Sequence, residues 1–360
     1  MAKDMHKEEW DNTTLTKLDV FEQYTNDWLN VALNYQRNDE QYKTLEIYDL
    51  FCGSGYDGTK TIKGSPLRIL DVVLRRNRNG KTIKIYFNDK NKNKVKHLKS
   101  IVMKKYPNLE DKNVQVEYIS SDAKEFRLNS KNYYKLIFLD QYGVRHNDKV
   151  KEFLCPGTDI LIFIASGHCR RFLKLESFRK YLDSEHISRE DFKGKTSHET
   201  HRVMAGYFRK YLLNDCFVAP FTLIKDNSNV NGLIFISTHR KGQEQFLKTA
   251  WEIDKDFGEG NINIDKDISR IKGTLFYDES APTQKEEEYE GLLLKFLREK
   301  RSNIDIKNFG LDNGFLIRHT KKILTKIKKD LEIYYCNGSK HGFHLDKNKK
   351  VLDIKLKDNQ

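Results

Sequence analysis

At 360 residues, 38% hydrophobic and 12% aromatic, the chain can bury a large core, enough for about two domains. Its 65 Lys and Arg against 52 Asp and Glu leave a net charge of +13, which suits a polyanionic partner such as nucleic acid or simply marks a lysine-rich proteome. Five cysteines, far apart and never in a C-x-x-C pair, exclude a disulfide framework, and no run approaches the roughly 18 apolar residues of a membrane span, so a cytoplasmic protein with no membrane partner is expected.

In residues 15 to 34, Leu15, Leu18, Phe21, Trp28, Val31 and Leu33 stand close to helical spacing, which predicts an amphipathic helix. Strand-length runs follow at LEIYDLF (45 to 51), IKIYFND (83 to 89), VQVEYIS (114 to 120), YKLIFLD (134 to 140) and DILIFIA (159 to 165). Segments that can hold helices lie between them, such as PLRILDVVLRR (66 to 76) and NKNKVKHLKSIVMKKY (91 to 106), so crossover units and a mainly parallel sheet are expected. The runs FVAPFTLIKD (217 to 226) and GLIFISTHR (232 to 240) are separated only by NSNVN, too short for a parallel crossover, and predict an antiparallel hairpin. The expected fold is therefore α/β: a Rossmann-like sheet of class I methyltransferase type with a terminal antiparallel hairpin, spanning 1–255, with a helical insertion at about 170–215. A linker over 256–282 and a small winged-helix-like domain over 283–360 complete the plan. In that last domain EEEYEGLLLKFLREK, IDIKNFG and GFLIRHTKKILTKIKKDLEI read as three helices, and IYYCNGSKHGFHLD as a hairpin around Asn337 and Gly338.

The first strand runs into glycines, in EIYDLFCGSG (46 to 55). A strand ending in Asp49, then Phe51, Gly53 and Gly55, resembles the nucleotide-binding turn of S-adenosylmethionine (SAM) methyltransferases, where glycine lets the backbone approach the cofactor without a Cβ clash. Asp89 closes the second strand, where a Rossmann-type fold places an acid against ribose hydroxyls, and Asp122 follows the third, in position to accept from an adenine amino group. Either aspartate alone would more often be a helix N-cap; the set carries the signal. At the fourth strand, LDQYG puts Asp140 and Tyr142 where a methyl sulfonium should point, an acceptor for a target amine and an aromatic wall for its base.

The combination of DLFCGSG, KGSPLRILDVV (63 to 73), LDQYG, GLIFISTHRKGQEQFLKTAWEID (232 to 254) and GFLIRHTKKILTKIKKDLEI resembles the three-Cys-motif partner (TcmP) proteins, in order and spacing, over residues 10 to 345. Members of that family typically read alanine where Cys52 stands and proline where Gln141 stands. The GSP step at Gly64, Ser65 and Pro66 also resembles ribosomal RNA adenine methyltransferases. The resemblance implies a SAM-dependent methyltransferase fold, an adjacent protein with three cysteines as partner, and a setting in mobile or phage-defence gene clusters.

Two basic stretches point to nucleic acid, DNA or RNA. Lys60, Lys63, Arg68, Arg75, Arg76, Arg78, Lys81 and Lys84 follow the glycine turn, and Arg318, Lys321, Lys322, Lys326, Lys328 and Lys329 crowd the third C-terminal helix, where Arg318 and Lys322 share a face. The competing reading is a solvated lysine face over a core of Leu316, Ile323, Leu324 and Ile327. His198 with His201, and His341 with His344, lack the carboxylate and third ligand of a metal site, so no metal is expected. Cys52 is expected to be a small buried residue. The residues point to an enzyme that methylates a nucleic-acid base amine; the alternative is an inactive module on the same fold that binds nucleic acid and a partner protein.

Overall fold

The computed structural model describes residues 9–141, 143–212, 216–225, 229–336 and 341–357, and for Ser177 the backbone alone. The chain forms two compact units, Met1–Thr249 with Gly260–Ile262, and Ala250–Glu259 with Asn263–Gln360.

The first unit opens with helix α1, Asn12–Asn34. Asp11 caps it by accepting from Thr14 N–H at 2.8 Å, satisfying one of the free donors of a helix start. Leu18, Phe21, Tyr24 and Trp28 form its buried face. At its far end the buried Lys81 donates from Nζ to the carbonyls of Ala32 and Tyr35, each at 2.7 Å, so a cation meets the negative pole of the helix.

Seven strands make one sheet: β1 Thr44–Asp49, β2 Thr82–Asn88, β3 Val114–Ile119, β4 Lys135–Leu139, β5 Thr158–Ile164, β6 Phe217–Lys225 and β7 Asn229–Ser237. Helices α2 (Ser65–Arg75), α3 (Lys92–Lys105) and α4 (Asp148–Phe153) lie between strands. The order is β3-β2-β1-β4-β5-β7-β6. The first five strands run parallel and β7 is antiparallel to both β5 and β6, the sheet of class I methyltransferases, as the strand runs and the short NSNVN turn predict. β6 lies on an edge and carries Pro220; the start of α1 rests on it, with Thr13 donating to Ile224 O at 3.5 Å and Lys225 paired with Asp11 at 2.6 Å.

The insertion is only partly helical. It holds α5 (Ser166–Phe172), α6 (Glu176–Arg179) and α7 (Thr200–Tyr211), but most of 180–199 is irregular. There Asp183 and Asp191 accept from the backbone N–H groups of Glu185 and Ser188, local bonds that compete with a helix. His201 on α7 is buried. Its Nε2 lies 3.0 Å from Leu233 O and therefore carries the proton, leaving Nδ1 to accept from Ser166 Oγ at 2.7 Å. Gly232 makes the approach possible, since a Cβ there would sit 2.3 Å from Nε2. This histidine staples α7 to β7.

Helix α8, Arg240–Ile253, leads into the second unit. Within 256–282, Gly260–Ile262 belong to the first unit, where Asn261 N–H donates to Thr222 O at 3.1 Å; elsewhere Gly258 lies against the Trp251 indole, and Asp267 accepts from Gln284 N–H at 2.6 Å. Then follow α9 Gln284–Phe296, β8 Arg301–Ser302, α10 Asn303–Asp312, α11 Ile317–Lys326, β9 Leu331–Tyr335 and β10 Leu352–Leu356. Thr283 and Ser302 close capping boxes at α9 and α10. The small sheet has the order β8-β10-β9. The hairpin turn expected around Asn337 and Gly338 lies outside the described residues; the strand that pairs with β9 is LDIKL at 352–356. Its alternating Leu352 and Ile354 are fully buried, a stronger strand signal than GFHLD.

Candidate cofactor and active site

The carboxyl ends of β1, β2, β3 and β4 bring most of the expected residues to one edge of the sheet. Asp49 ends β1 and is buried. Its Oδ2 accepts from Ser65 Oγ at 2.6 Å and its Oδ1 from Phe51 N–H at 3.3 Å, so it ties the glycine turn to the first residue of α2. Gly53 has φ +62° and Gly55 φ +95°, the left-handed region that glycine alone adopts cheaply. A Cβ on Gly55 would also meet Leu98 at 2.9 Å, and its carbonyl accepts from Gly64 N–H at 2.8 Å. Between these glycines Asp57 accepts from Thr61 and Ile62 N–H, both at 2.9 Å, fixing the loop that carries the bare backbone.

Asp89 accepts from Gly53 N–H at 3.2 Å on one oxygen and from Asn91 N–H at 2.8 Å on the other. It is not the cap of α3; Asn91 is. A carboxylate has about four acceptor sites, so two remain for ligand hydroxyls. Asp122 is exposed. The N–H of Lys124, which donates to Oδ1 at 2.9 Å, and the nearby His146 and Lys90 hold its carboxyl below the usual range, so it is an ionised acceptor. His146 in turn stands edge-on to Phe51 at 5.3 Å. Burial pushes its pKa down, and its Nδ1 has no partner among the described residues.

Asp140 stands just past β4 and is bound by Lys17 of α1, whose Nζ reaches Oδ2 at 2.5 Å with only 11% of the lysine side chain exposed. Tyr142, expected beside it, lies outside the described residues. Gln141 is buried and spent on the following turn, donating to Asn147 Oδ1 at 2.9 Å and accepting from His146 N–H at 2.7 Å. Where a proline would stiffen the strand end by its ring, this chain does so by side-chain hydrogen bonds.

Two residues that shape the site escaped the sequence reading. One is Lys17. The other is Asn88, fully buried, whose Nδ2 donates to Leu50 O at 3.2 Å and Ser121 O at 3.1 Å while Oδ1 accepts from Ser121 N–H and Oγ, both at 3.1 Å. It staples the tips of β1, β2 and β3. Cys52 is buried as expected, and burial pushes its thiol far up, so it is inert. The basic stretch after the glycine turn is a correction: Arg68 pairs with Asp19 and Glu22 of α1 at 2.7 and 3.1 Å, Arg75 with Glu22 at 3.0 Å, and Lys63 with Asp71. Arg68 and Arg75 hold α1 against α2, Lys63 is spent on Asp71 of α2 and Lys81 is buried at the end of α1, so these cations do not form an open phosphate-binding face. Among the described residues, no group of three or more His, Cys, Asp or Glu could hold a metal ion, and no helix is long and apolar enough to cross a membrane.

Asp49 makes the site sensitive to pH. Burial raises its pKa to about 7; the Ser65 and Phe51 hydrogen bonds oppose this, and Asp140 and Asp89 add to it. A folded-state pKa above the unfolded 3.8 means that the folded chain holds a proton the unfolded chain has lost. The stability is present in full below the unfolded value and is lost as pH rises through about 7. Chemical denaturation of the wild type and Asp49→Asn between pH 5 and 7 should show the wild type losing ground to the variant by up to about 1.4 kcal/mol per pH unit. Asp159, with a pKa raised by burial to about 6, has the same sign but is common to both proteins and cancels. Parallel curves would refute the assignment.

No protein-family model matches this chain, and no curated protein matches it. Solved structures do resemble it in part. Trm1 from Pyrococcus horikoshii, in complex with S-adenosyl-L-methionine, is 13% identical with a TM-score of 0.35, over 64% of this chain and 58% of that one. M. jannaschii TYW2 in complex with AdoMet is 14% identical with a TM-score of 0.32, over 65% and 78%. An O-methyltransferase from Bacillus cereus in complex with SAH is 12% identical with a TM-score of 0.31, over 66% and 86%. The chain thus spans little more than half the length of Trm1. These are partial likenesses of fold, and the ligands are those proteins' own.

Proposed function

We propose that this chain is a SAM-dependent methyltransferase acting on nucleic acid, at an exocyclic amine of a base. The observation that carries the reading is convergence: a bare glycine turn and four aspartates, Asp49, Asp89, Asp122 and Asp140, meet at the carboxyl edges of four adjoining strands. That edge is where open α/β sheets bind nucleotides. SAM, when bound, supplies an activated methyl group. The chain's part is to orient and to take up hydrogen bonds: Gly53 and Gly55 admit the methionine portion, Asp89 holds the ribose, Asp122 accepts from the adenine amine, and Asp140 accepts from the target amine on its free oxygen while Lys17 holds the other. Tritiated-methyl transfer to mixed DNA and RNA tests the reading; SAM binding with no label on any nucleic acid counts against it.

The nucleic-acid half draws on the second unit. Its element order, α9-β8-α10-α11-β9-β10, with the sheet order β8-β10-β9, supports a winged-helix reading in which α11 is the groove helix. Arg318 and Lys322 are exposed on α11, whereas Lys321 leans to Asp346 at 3.4 Å. The double variant Arg318→Ala, Lys322→Ala is expected to weaken nucleic-acid binding about tenfold and to lower the slope of log K against log salt by about 2, with unfolding unchanged. An unchanged slope would remove α11 from the interface.

In its finer form the proposal makes the chain a TcmP protein in the cytoplasm that works with a three-Cys-motif partner in phage defence, supported by the sequence motifs. The second reading, an inactive module, draws on Gln141 and on Lys17 occupying Asp140. Calorimetry separates them: SAM and S-adenosylhomocysteine both failing to bind at millimolar concentration leaves the module.

A further inference from the structure

A parallel sheet covered on both faces has strands that read as nearly continuous apolar runs. On one face, the central strands β1 and β2 break that rule. Glu46 and Tyr48, with their register partners Lys84 and Tyr86, line one cavity, while Leu45, Ile47, Ile83, Ile85 and Phe87 bury the remaining positions. Folding alone gives no reason for charges at the middle of a sheet. Over these residues the connection from β3 to β4, 120–134, forms no helix, and the cavity it leaves has a volume of about 550 Å³. That is within the range of small-molecule sites. None of the strand-tip aspartates lines it.

The cavity is chemically ordered. Glu46 is buried, and its carboxylate is held from two sides, by the Tyr48 hydroxyl at 2.8 Å and by Asn132 Nδ2 at 2.8 Å. Two donors leave acceptor sites open, so the carboxylate calls for N–H groups from a ligand. Tyr48 and Tyr86 stack at 4.5 Å and 6°, with Phe126 edge-on to Tyr48 at 5.9 Å, giving a wall of rings. Lys84 and the exposed Lys131 line the same space, and their ammonium groups have no partner among the described residues.

We propose that this cavity binds a nucleotide, with the N–H edge of its base on Glu46, its ring against the Tyr48, Tyr86 and Phe126 wall, and its phosphate on Lys84 and Lys131. An apolar ligand would leave the remaining acceptor sites of Glu46 unused beyond Tyr48 and Asn132, and a divalent cation would find only one more carboxylate, Glu125, among the lining residues. An amino-acid zwitterion carries its two charges on one carbon, whereas here the carboxylate is buried and Lys131 is exposed. The site is independent of the methyl-transfer reading.

Titration calorimetry of the full chain with AMP, GMP, CMP, UMP and inorganic phosphate tests it. A nucleotide should bind at micromolar to millimolar concentration and more tightly than phosphate. Lys84→Ala with Lys131→Ala should weaken it about tenfold, with thermal unfolding and SAM binding unchanged, and Glu46→Gln should weaken most the bases that present paired N–H donors. Four results would each overturn the proposal: no nucleotide binding at millimolar concentration, phosphate binding equally well, indifference to the lysine variant, or displacement by S-adenosylhomocysteine, which would put the nucleotide at the strand tips.

Discussion

Methyl transfer by an Asp140→Ala variant is expected to fall by about 10² to 10⁴, the range for removing a positioned acceptor of a transferring proton. The amine must lose a proton as it gains a methyl group, and Asp140 is the carboxylate at the β4 tip with one oxygen held by Lys17 and the other open. Asp140→Asn sharpens the result: it removes the charge and keeps one carbonyl oxygen, which can face either Lys17 or the amine, with an NH2 donor in place of the other. An active Asn variant beside a dead Ala variant makes Asp140 a hydrogen-bond acceptor and not a base; two dead variants mean that the carboxylate itself is required. Single-turnover label transfer, with SAM affinity measured alongside, reads the difference. An Ala variant at the wild-type rate would place the chemistry elsewhere.

The largest stability effect is expected at Asn88. Alanine there leaves two carbonyls and the Ser121 N–H without partners in a buried setting, at about 1–3 kcal/mol for each group left unsatisfied. Partial relaxation and water entry bring the expected sum to about 3 kcal/mol, which denaturant midpoints would show. The Leu50 carbonyl that loses its donor lies two residues before Cys52 of the glycine turn, so the turn is disturbed with the β1 tip. SAM affinity should therefore fall with stability. Loss of stability with affinity intact would separate the staple from the site.

The strands were legible because each is a β-branched or aromatic run bounded by turn residues, and the glycine turn because DLFCGSG breaks such a run sharply. The aspartates were legible as a set for the same reason: each follows the end of a run. Asn88 was passed over for its neighbour Asp89, although a polar residue on the inward side of IKIYFN had to find partners inside. Lys17 had no local signal at all, since it meets Asp140 across 123 residues. The basic stretch misled because charge counts carry no geometry. Asp19 and Glu22, three apart on α1, were its waiting partners. The irregular 180–199 segment misled in another way, through side chains that bond their own backbone.

The place of β7 has a consequence for biosynthesis. β7 fills the position beside β5, yet it leaves the ribosome only after α5, α6, α7 and β6. Until then a growing chain holds β5 with an open row of backbone donors and acceptors. Translation is slow beside hairpin formation. The emerging chain therefore passes through an interval in which that row must be shielded, by a chaperone or by the α7 segment resting over it, before the final hairpin slots in and seals the sheet.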